Sequence, residues 1–173
     1  MPLFALLQAG CLLAFALLLV AAGWQDVRTM RIANRLSIAV ACLFLVWALA
    51  GMAGGSLVPG DMALAVTCAI AVFLVGAAAF AASVLGGGDV KLLAAASLFA
   101  GPALLLDFLT IVALAGGLVG IAVLAGAPIG PAAASTDGTT VRARLRTGLP
   151  YGPAIAAGGL WVAARLIAPL AGV

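Results

Sequence analysis

The sequence contains no histidine and no glutamate, and only 8% of its 173 residues are charged. The missing histidines exclude the most common general base and the most common metal ligand. A soluble domain is about a quarter charged, so this chain has too little charge to cover a surface in water. Its net charge of +3 is too small and too dispersed to indicate nucleic-acid binding. The composition therefore predicts an integral membrane protein.

The three cysteines give no sign of a metal site or of a disulfide framework. Cys11, Cys42 and Cys68 occur singly inside apolar runs, with no C-x-x-C pair and no histidine to complete a zinc site. We expect them to act as small buried apolar residues. No cofactor or metal is implied by the sequence.

Long uncharged runs indicate the membrane-spanning segments, because a spanning helix needs about 20 apolar residues. They predict an all-α integral membrane protein with about six transmembrane helices, over residues 3–23, 36–53, 62–84, 88–106, 108–127 and 149–169. The uncharged run 92–106 alone would reach only about 22 Å across a core of about 30 Å. That helix is therefore expected to begin near Gly87 or Gly88.

The basic residues flank one set of helix ends, which the positive-inside rule assigns to the cytoplasm. These residues are Arg28, Arg31, Arg35, Lys91, Arg142, Arg144 and Arg146. Both termini are then expected on the non-cytoplasmic side, with Arg165 as the exception. Residues 1–173 are expected to form one polytopic domain with a long cytoplasmic loop over 128–148. That loop is either a simple connector or a segment attracted to anionic headgroups.

Two of the five aspartates are expected at a similar depth on the cytoplasmic side. Asp26 lies where the first helix ends, and Asp89 lies where the fourth begins, directly after three glycines. Asp89 alone could simply cap its helix. Two neighbouring carboxylates cannot both ionise cheaply, so a pair of them can supply a general base and a general acid together. This is the chemistry of an aspartic protease.

Three sequence elements carry a resemblance to a known family. They are D-x5-I-x-N from Asp26 to Asn34 with Ile32, G-x-G-D from Gly86 to Asp89 followed by Lys91, and Pro150-Tyr151-Gly152-Pro153. Together they resemble the type IV prepilin peptidases, which are membrane aspartic proteases. That family usually has proline where this chain has Ala33. The larger members carry a cytoplasmic insertion with paired cysteines and a methyltransferase activity, so the chain resembles the short form, without N-methylation.

The resemblance implies Asp26 and Asp89 as catalytic residues and, as the substrate, a prepilin or pseudopilin precursor whose short basic leader precedes an apolar helix. The supporting motif residues are Gly86, Gly88, Lys91, Ile32, Asn34, Tyr151, Gly152 and Pro153. Asn34 either forms a hydrogen bond with the backbone of its loop or orients the two aspartates. Lys91 either lowers the pKa of a carboxyl group or anchors its helix at the headgroups. Tyr151 either contributes its hydroxyl to the site or lies at the membrane interface. The expected location is the bacterial or archaeal cytoplasmic membrane, with the active site on the cytoplasmic side.

Two other functions remain open at this point. In a small proton- or cation-coupled carrier, Asp26 and Asp89 would bind or relay the ion, although carriers place such groups near the bilayer midplane. A non-enzymatic assembly factor of a pilus or secretion apparatus would not need both aspartates. The oligomeric state is not predicted.

Overall fold

The computed structural model describes residues 2–125 and 149–171, and within them the chain forms helices and no strand. All the helices are long and apolar enough to cross a membrane. They are α1 (Pro2–Thr29), α2 (Asn34–Ala53), α3 (Pro59–Ala81), α4 (Gly87–Leu124) and α5 (Gly152–Ala171). The predicted all-α membrane fold is confirmed. The predicted loop 128–148, with Asp137 and three of the basic residues, lies outside the described residues.

Large apolar side chains cover the outside of the bundle, as a lipid-facing surface requires. Val75 is 72% exposed and Leu106 is 77% exposed, and many other leucines and valines point outward. Water would penalise such a surface, whereas hydrocarbon does not. All three cysteines are free, and Cys11 is buried as predicted. The prediction is wrong for Cys42, which is exposed in an apolar groove between α1 and α2, and Cys68 is only half-buried.

The fourth and fifth predicted helices are the two segments of α4, and they meet at a kink at Gly101 and not at Asp107, where the prediction divided them. The backbone leaves helical geometry at Gly101, where φ is +53° and ψ is −171°. Pro102 explains this position, since proline removes a backbone donor and disfavours helical geometry in the residue before it. Asp107 is exposed within the second segment of α4, and no helix ends there.

The two segments of α4 run in opposite directions. Near the end of the first segment, Phe99 stacks on Phe15 of α1, with ring centroids 4.1 Å apart. In the second segment, Phe108 lies beside Gly158 of α5, and Gly116 lies beside Tyr151 at the start of α5. The second segment therefore returns to the end of the bundle where α4 began. The two segments therefore correspond to the fourth and fifth predicted spans, and the predicted count of about six is close to the helices of the described chain.

An aromatic cluster joins α1, α2 and α4 in the middle of the bundle. Phe99 contacts Phe15, Phe44 and Trp47, with centroids 4.1–5.7 Å apart. Phe15 and Phe44 are almost fully buried. Helices in lipid gain stability chiefly from close packing, so this cluster fixes how the first segment of α4 sits against its neighbours.

Several helix ends differ from the sequence-based boundaries. The first helix was expected to end at residue 23 but continues to Thr29, so Asp26 lies inside its last turns. The third helix begins at Pro59, where Asp61 accepts a hydrogen bond of 3.0 Å from the Val58 backbone N–H. A carboxylate in the first turn satisfies a backbone donor that the helix leaves free. Asp61 thus has a local structural role.

Candidate active site

The motif-bearing ends of four helices meet at one end of the bundle. Asp26 lies one turn before the end of α1, Asn34 begins α2, Asp89 is the third residue of α4, and Gly152 begins α5. Helix ends carry unpaired backbone groups, and the N-termini of α4 and α5 direct backbone N–H groups toward this region. Such a place can hold carboxylates that the apolar bundle interior could not.

Asp26 is fixed by a hydrogen bond that crosses most of the chain. Its side chain is only 4% exposed, and its Oδ2 accepts a bond of 2.7 Å from the backbone N–H of Gly152. A Cβ atom at residue 152 would lie 2.6 Å from Asp26 Cβ and 2.9 Å from Oδ2. Only glycine therefore lets α5 approach closely enough to make this bond.

Asp89 lies close enough to Asp26 for the two carboxyl groups to interact electrostatically. Its Oδ2 folds back over Gly86, so that a Cβ atom at residue 86 would lie 2.6 Å from it. This is the helix-capping position that the sequence suggested. The other oxygen, Oδ1, is buried and bonds no group of the described residues. One oxygen of the carboxyl group thus lies against the start of its own helix, whereas Oδ1 has no partner among the described residues.

Contacts between the first two sequence elements bring the start of α4 against the turn before α2. A Cβ atom at Gly88 would lie 3.1 Å from both Cβ and the carbonyl oxygen of Ile32, which is closer than ordinary packing allows. Lys91 Nζ donates a hydrogen bond of 3.0 Å to Asn34 Oδ1 on the outer side of this contact. These four residues join α4 to α2 within one turn of Asp89.

The third sequence element packs around Asp26 and beside the second segment of α4. Pro153 lies against Gly23, where an added Cβ would meet the Pro153 Cα at 3.3 Å. The half-buried ring of Tyr151 lies against Gly116, at 3.1 Å from the position of an added Cβ. The predicted site residues of all three elements therefore lie in one region of the structure.

Some residues of this region were not singled out from the sequence. Gly23 and Gly116 permit the close approach of Pro153 and Tyr151, and glycine within a helix was the available signal. Ser37 is buried and its hydroxyl bonds no group of the described residues. A lone polar residue in an apolar helix was the signal for Ser37, but nothing in the sequence gave it a partner.

A comparison with known protein families identifies the family to which the chain is related. A model of the type IV leader peptidase family matches residues 13–121, more than half of the chain. The chain belongs to the type IV leader peptidase family. The matched part of this family member includes both Asp26 and Asp89 and ends before Tyr151. No match was found among curated proteins or solved structures.

Membership of this peptidase family gives the region its chemical interpretation. The two aspartates lie in the part of the chain that the family shares, whereas the donor that fixes Asp26 lies in α5, beyond it. The chain is thus a multi-pass membrane member of a peptidase family, and the cluster around Asp26 and Asp89 is its candidate active site.

Proposed function

We propose that this leader peptidase is an aspartic endopeptidase that removes the basic leader from type IV prepilin-like or pseudopilin precursors. The observation that carries the proposal is the pair formed by Asp26 and Asp89. The two carboxyl groups interact electrostatically, Asp26 is held by Gly152, and Asp89 Oδ1 bonds no group of the described residues. This arrangement supplies two neighbouring titratable carboxyl groups at the end of the bundle.

In the proposed mechanism the two carboxyl groups share one proton and act as a unit. The ionised carboxyl takes a proton from water, and the water oxygen attacks the carbonyl carbon of the scissile peptide bond. The protonated carboxyl gives its proton to the carbonyl oxygen. When the carbon–nitrogen bond breaks, the carboxyl that took the proton from water gives it to the leaving nitrogen. The other carboxyl takes back a proton from a hydroxyl of the intermediate as the carbonyl re-forms, so that the products are a carboxylic acid and an amine and the pair again holds one proton.

The position of the pair fits a bond near a membrane surface. Asp26 and Asp89 lie near helix ends, and Arg28 lies two residues after Asp26 with its guanidinium 4.6 Å from the centre of the Trp24 ring. Arginine and tryptophan are typical of membrane interfaces, and arginine favours the cytoplasmic side. We therefore infer a site at the cytoplasmic face of a bacterial or archaeal cytoplasmic membrane. N-methylation is not part of the proposal.

Cleavage of a precursor in membranes tests this function. The chain is co-expressed with each prepilin-like precursor of its own genome, and loss of the leader is followed by the change in substrate size. Asp26→Asn and Asp89→Asn should each lower the cleavage rate by roughly 10²-fold or more, the usual contribution of general acid–base catalysis. Asp107→Asn is the matched control, because Asp107 is an exposed aspartate of the second segment of α4, beyond the break at Gly101 and away from Asp89.

Equal amounts of each variant in the membrane must be verified before the rates are compared. Normal cleavage by either Asp26→Asn or Asp89→Asn would contradict the two-aspartate mechanism. A wild-type chain that cleaves none of the precursors would instead favour an ion-coupled carrier or a non-enzymatic assembly factor. Ion uptake in vesicles and pilus assembly in a deletion strain would then separate those two functions.

A further inference from the structure

We propose that a groove beside the candidate active site binds the apolar helix that follows the leader in the precursor, an inference that rests on the proposed function. The groove has a volume of about 520 Å³ and opens between α2 and α3. In the described part of the chain these two helices have almost no mutual contact, while each packs on α4. The first segment of α4 therefore forms the floor of the groove.

The dimensions of the groove suit a short stretch of helix. Its walls run over residues 34–41 of α2 and 66–73 of α3, and its floor runs over residues 91–98 of α4. Each stretch is about 10 Å long at 1.5 Å per residue, which is two turns of an α-helix. The lining is almost wholly apolar, with alanines at the floor and Phe73 at one wall. Small residues permit close helix–helix approach in lipid.

The groove begins at the candidate active site. Lys91, at one end of its floor, lies two residues after Asp89, and its bonded partner Asn34 begins the α2 wall. A helix lying in the groove would thus begin within one turn of Asp89 along α4. A peptide bond directly before that helix would lie on the side of the two carboxyl groups.

Ser37 distinguishes this groove from an ordinary lipid-facing depression. It lines the groove one turn beyond Asn34, is 6% exposed, and has a hydroxyl that bonds no group of the described residues. A buried polar group without a partner costs free energy. The first N–H groups of a helix also lack partners within that helix. If a helix begins at this end of the groove, one of its free N–H groups can donate a hydrogen bond to the Ser37 hydroxyl. A lipid acyl chain has no donor for that hydroxyl.

Blocking the groove tests the proposal against a control on the same helix. Ala41→Trp fills this groove, whereas Ala39→Trp places the same side chain in a different, apolar groove between α1 and α2. Each enzyme is given a full-length precursor and a precursor truncated after the first two residues of its apolar helix, which leaves almost nothing to occupy the two turns of the groove. We expect Ala41→Trp to raise KM for the full-length precursor by about tenfold or more, which corresponds to roughly 1.4 kcal/mol of binding.

The truncated precursor should be cleaved by Ala41→Trp and by wild type with similar kcat/KM, because it gains little from the groove. Ala39→Trp should retain the wild-type KM on both substrates. An equal loss on both precursors would show distortion of the site, and an unchanged KM would show an unused groove; either result overturns the docking proposal. Absence of cleavage by the wild-type chain would overturn the proposed function itself.

Photo-crosslinking identifies the occupant directly. A benzophenone amino acid replaces Phe73, which lines the groove and is 43% exposed, in an Asp26→Asn background that retains the precursor uncleaved. We expect a crosslink to the first turns of the precursor's apolar helix. Crosslinks only to lipid or to a second copy of the chain would overturn the proposal. Leu17, in the groove between α1 and α2, is the control position for the same probe.

Discussion

Gly152→Ala should disable the candidate site without removing either aspartate. The new Cβ would lie 2.6 Å from Asp26 Cβ and 2.9 Å from its Oδ2, so either the Asp26 side chain or the start of α5 must move. Movement of either lengthens the 2.7 Å bond between the Gly152 N–H and Oδ2. The substitution therefore tests whether this bond positions Asp26 for catalysis.

The bond sets the size of the expected effect. A hydrogen bond to a charged group contributes about 1.5–3 kcal/mol. Loss of that amount from the transition state lowers the rate by about 10- to 150-fold, since each 1.36 kcal/mol is a factor of ten. The measurement is the initial rate of leader removal from a full-length precursor in membranes that contain equal amounts of each variant.

Gly158→Ala is the matched control for Gly152→Ala. Gly158 is also buried on α5, and an added Cβ there would lie 2.7 Å from Val112 and 3.0 Å from Phe108, two side chains of α4. Both variants should unfold at lower temperature in detergent, because both crowd the contact between α5 and its neighbours. Only Gly152→Ala should lose cleavage beyond its loss of folded protein.

Two outcomes would refute the reasoning. Wild-type cleavage by Gly152→Ala would mean that the Gly152 bond does not position Asp26 for catalysis. Equal losses of rate in Gly152→Ala and Gly158→Ala, at equal folded amounts, would mean that packing of α5 as a whole controls the activity and that the bond has no separate effect.

Other substitutions probe the remaining contacts. Gly88→Ala should lower the cleavage rate, because its Cβ would press on the Ile32 backbone. Gly87→Ala should keep the wild-type rate, because its Cβ would make only ordinary contact with Phe80, and equal rates for the two variants would contradict this. In a double-mutant cycle of cleavage rates, the effects of Lys91→Met and Asn34→Ala on the activation free energy should differ from additivity by about 0.5–1.5 kcal/mol. Full additivity would mean that the Lys91–Asn34 hydrogen bond has no effect on cleavage. Gly101→Ala should destabilise the chain by about 1–3 kcal/mol in detergent unfolding, because φ is +53° there; an unchanged unfolding midpoint would exclude strain at the bend.

Most of the helices could be predicted because the charged residues are so few. The uncharged runs located α1, α2, α3 and α5 within several residues, and the short run after Asp89 correctly required α4 to begin at the glycines. The boundary after α4 failed because Asp107 was given the role that belongs to Gly101 and Pro102. A Gly-Pro pair is itself a strong turn signal, whereas one exposed carboxylate is tolerated on a helix.

The candidate site was only partly predictable, for a reason of distance along the chain. The predicted depth in the membrane was enough to assign Asp26 and Asp89 to the same membrane side, because both lie near helix ends. Depth does not determine which helices touch. The bond from Gly152 to Asp26 spans 126 positions of sequence, and the contact of Gly23 with Pro153 spans slightly more. Such contacts depend on the packing of α5 against α1.

The glycines around the two aspartates explain how a polar site can exist at the end of so apolar a bundle. Gly88 lets α4 meet the Ile32 backbone, Gly152 lets α5 donate to Asp26, and Gly23 lets α1 meet Pro153. Burial of apolar surface adds little to helix association in lipid. These close contacts at glycines must therefore hold the site residues in position. The family match ends before Gly152, yet the donor to Asp26 Oδ2 comes from that residue. The start of α5 is therefore as much a part of the candidate site as the G-x-G-D element.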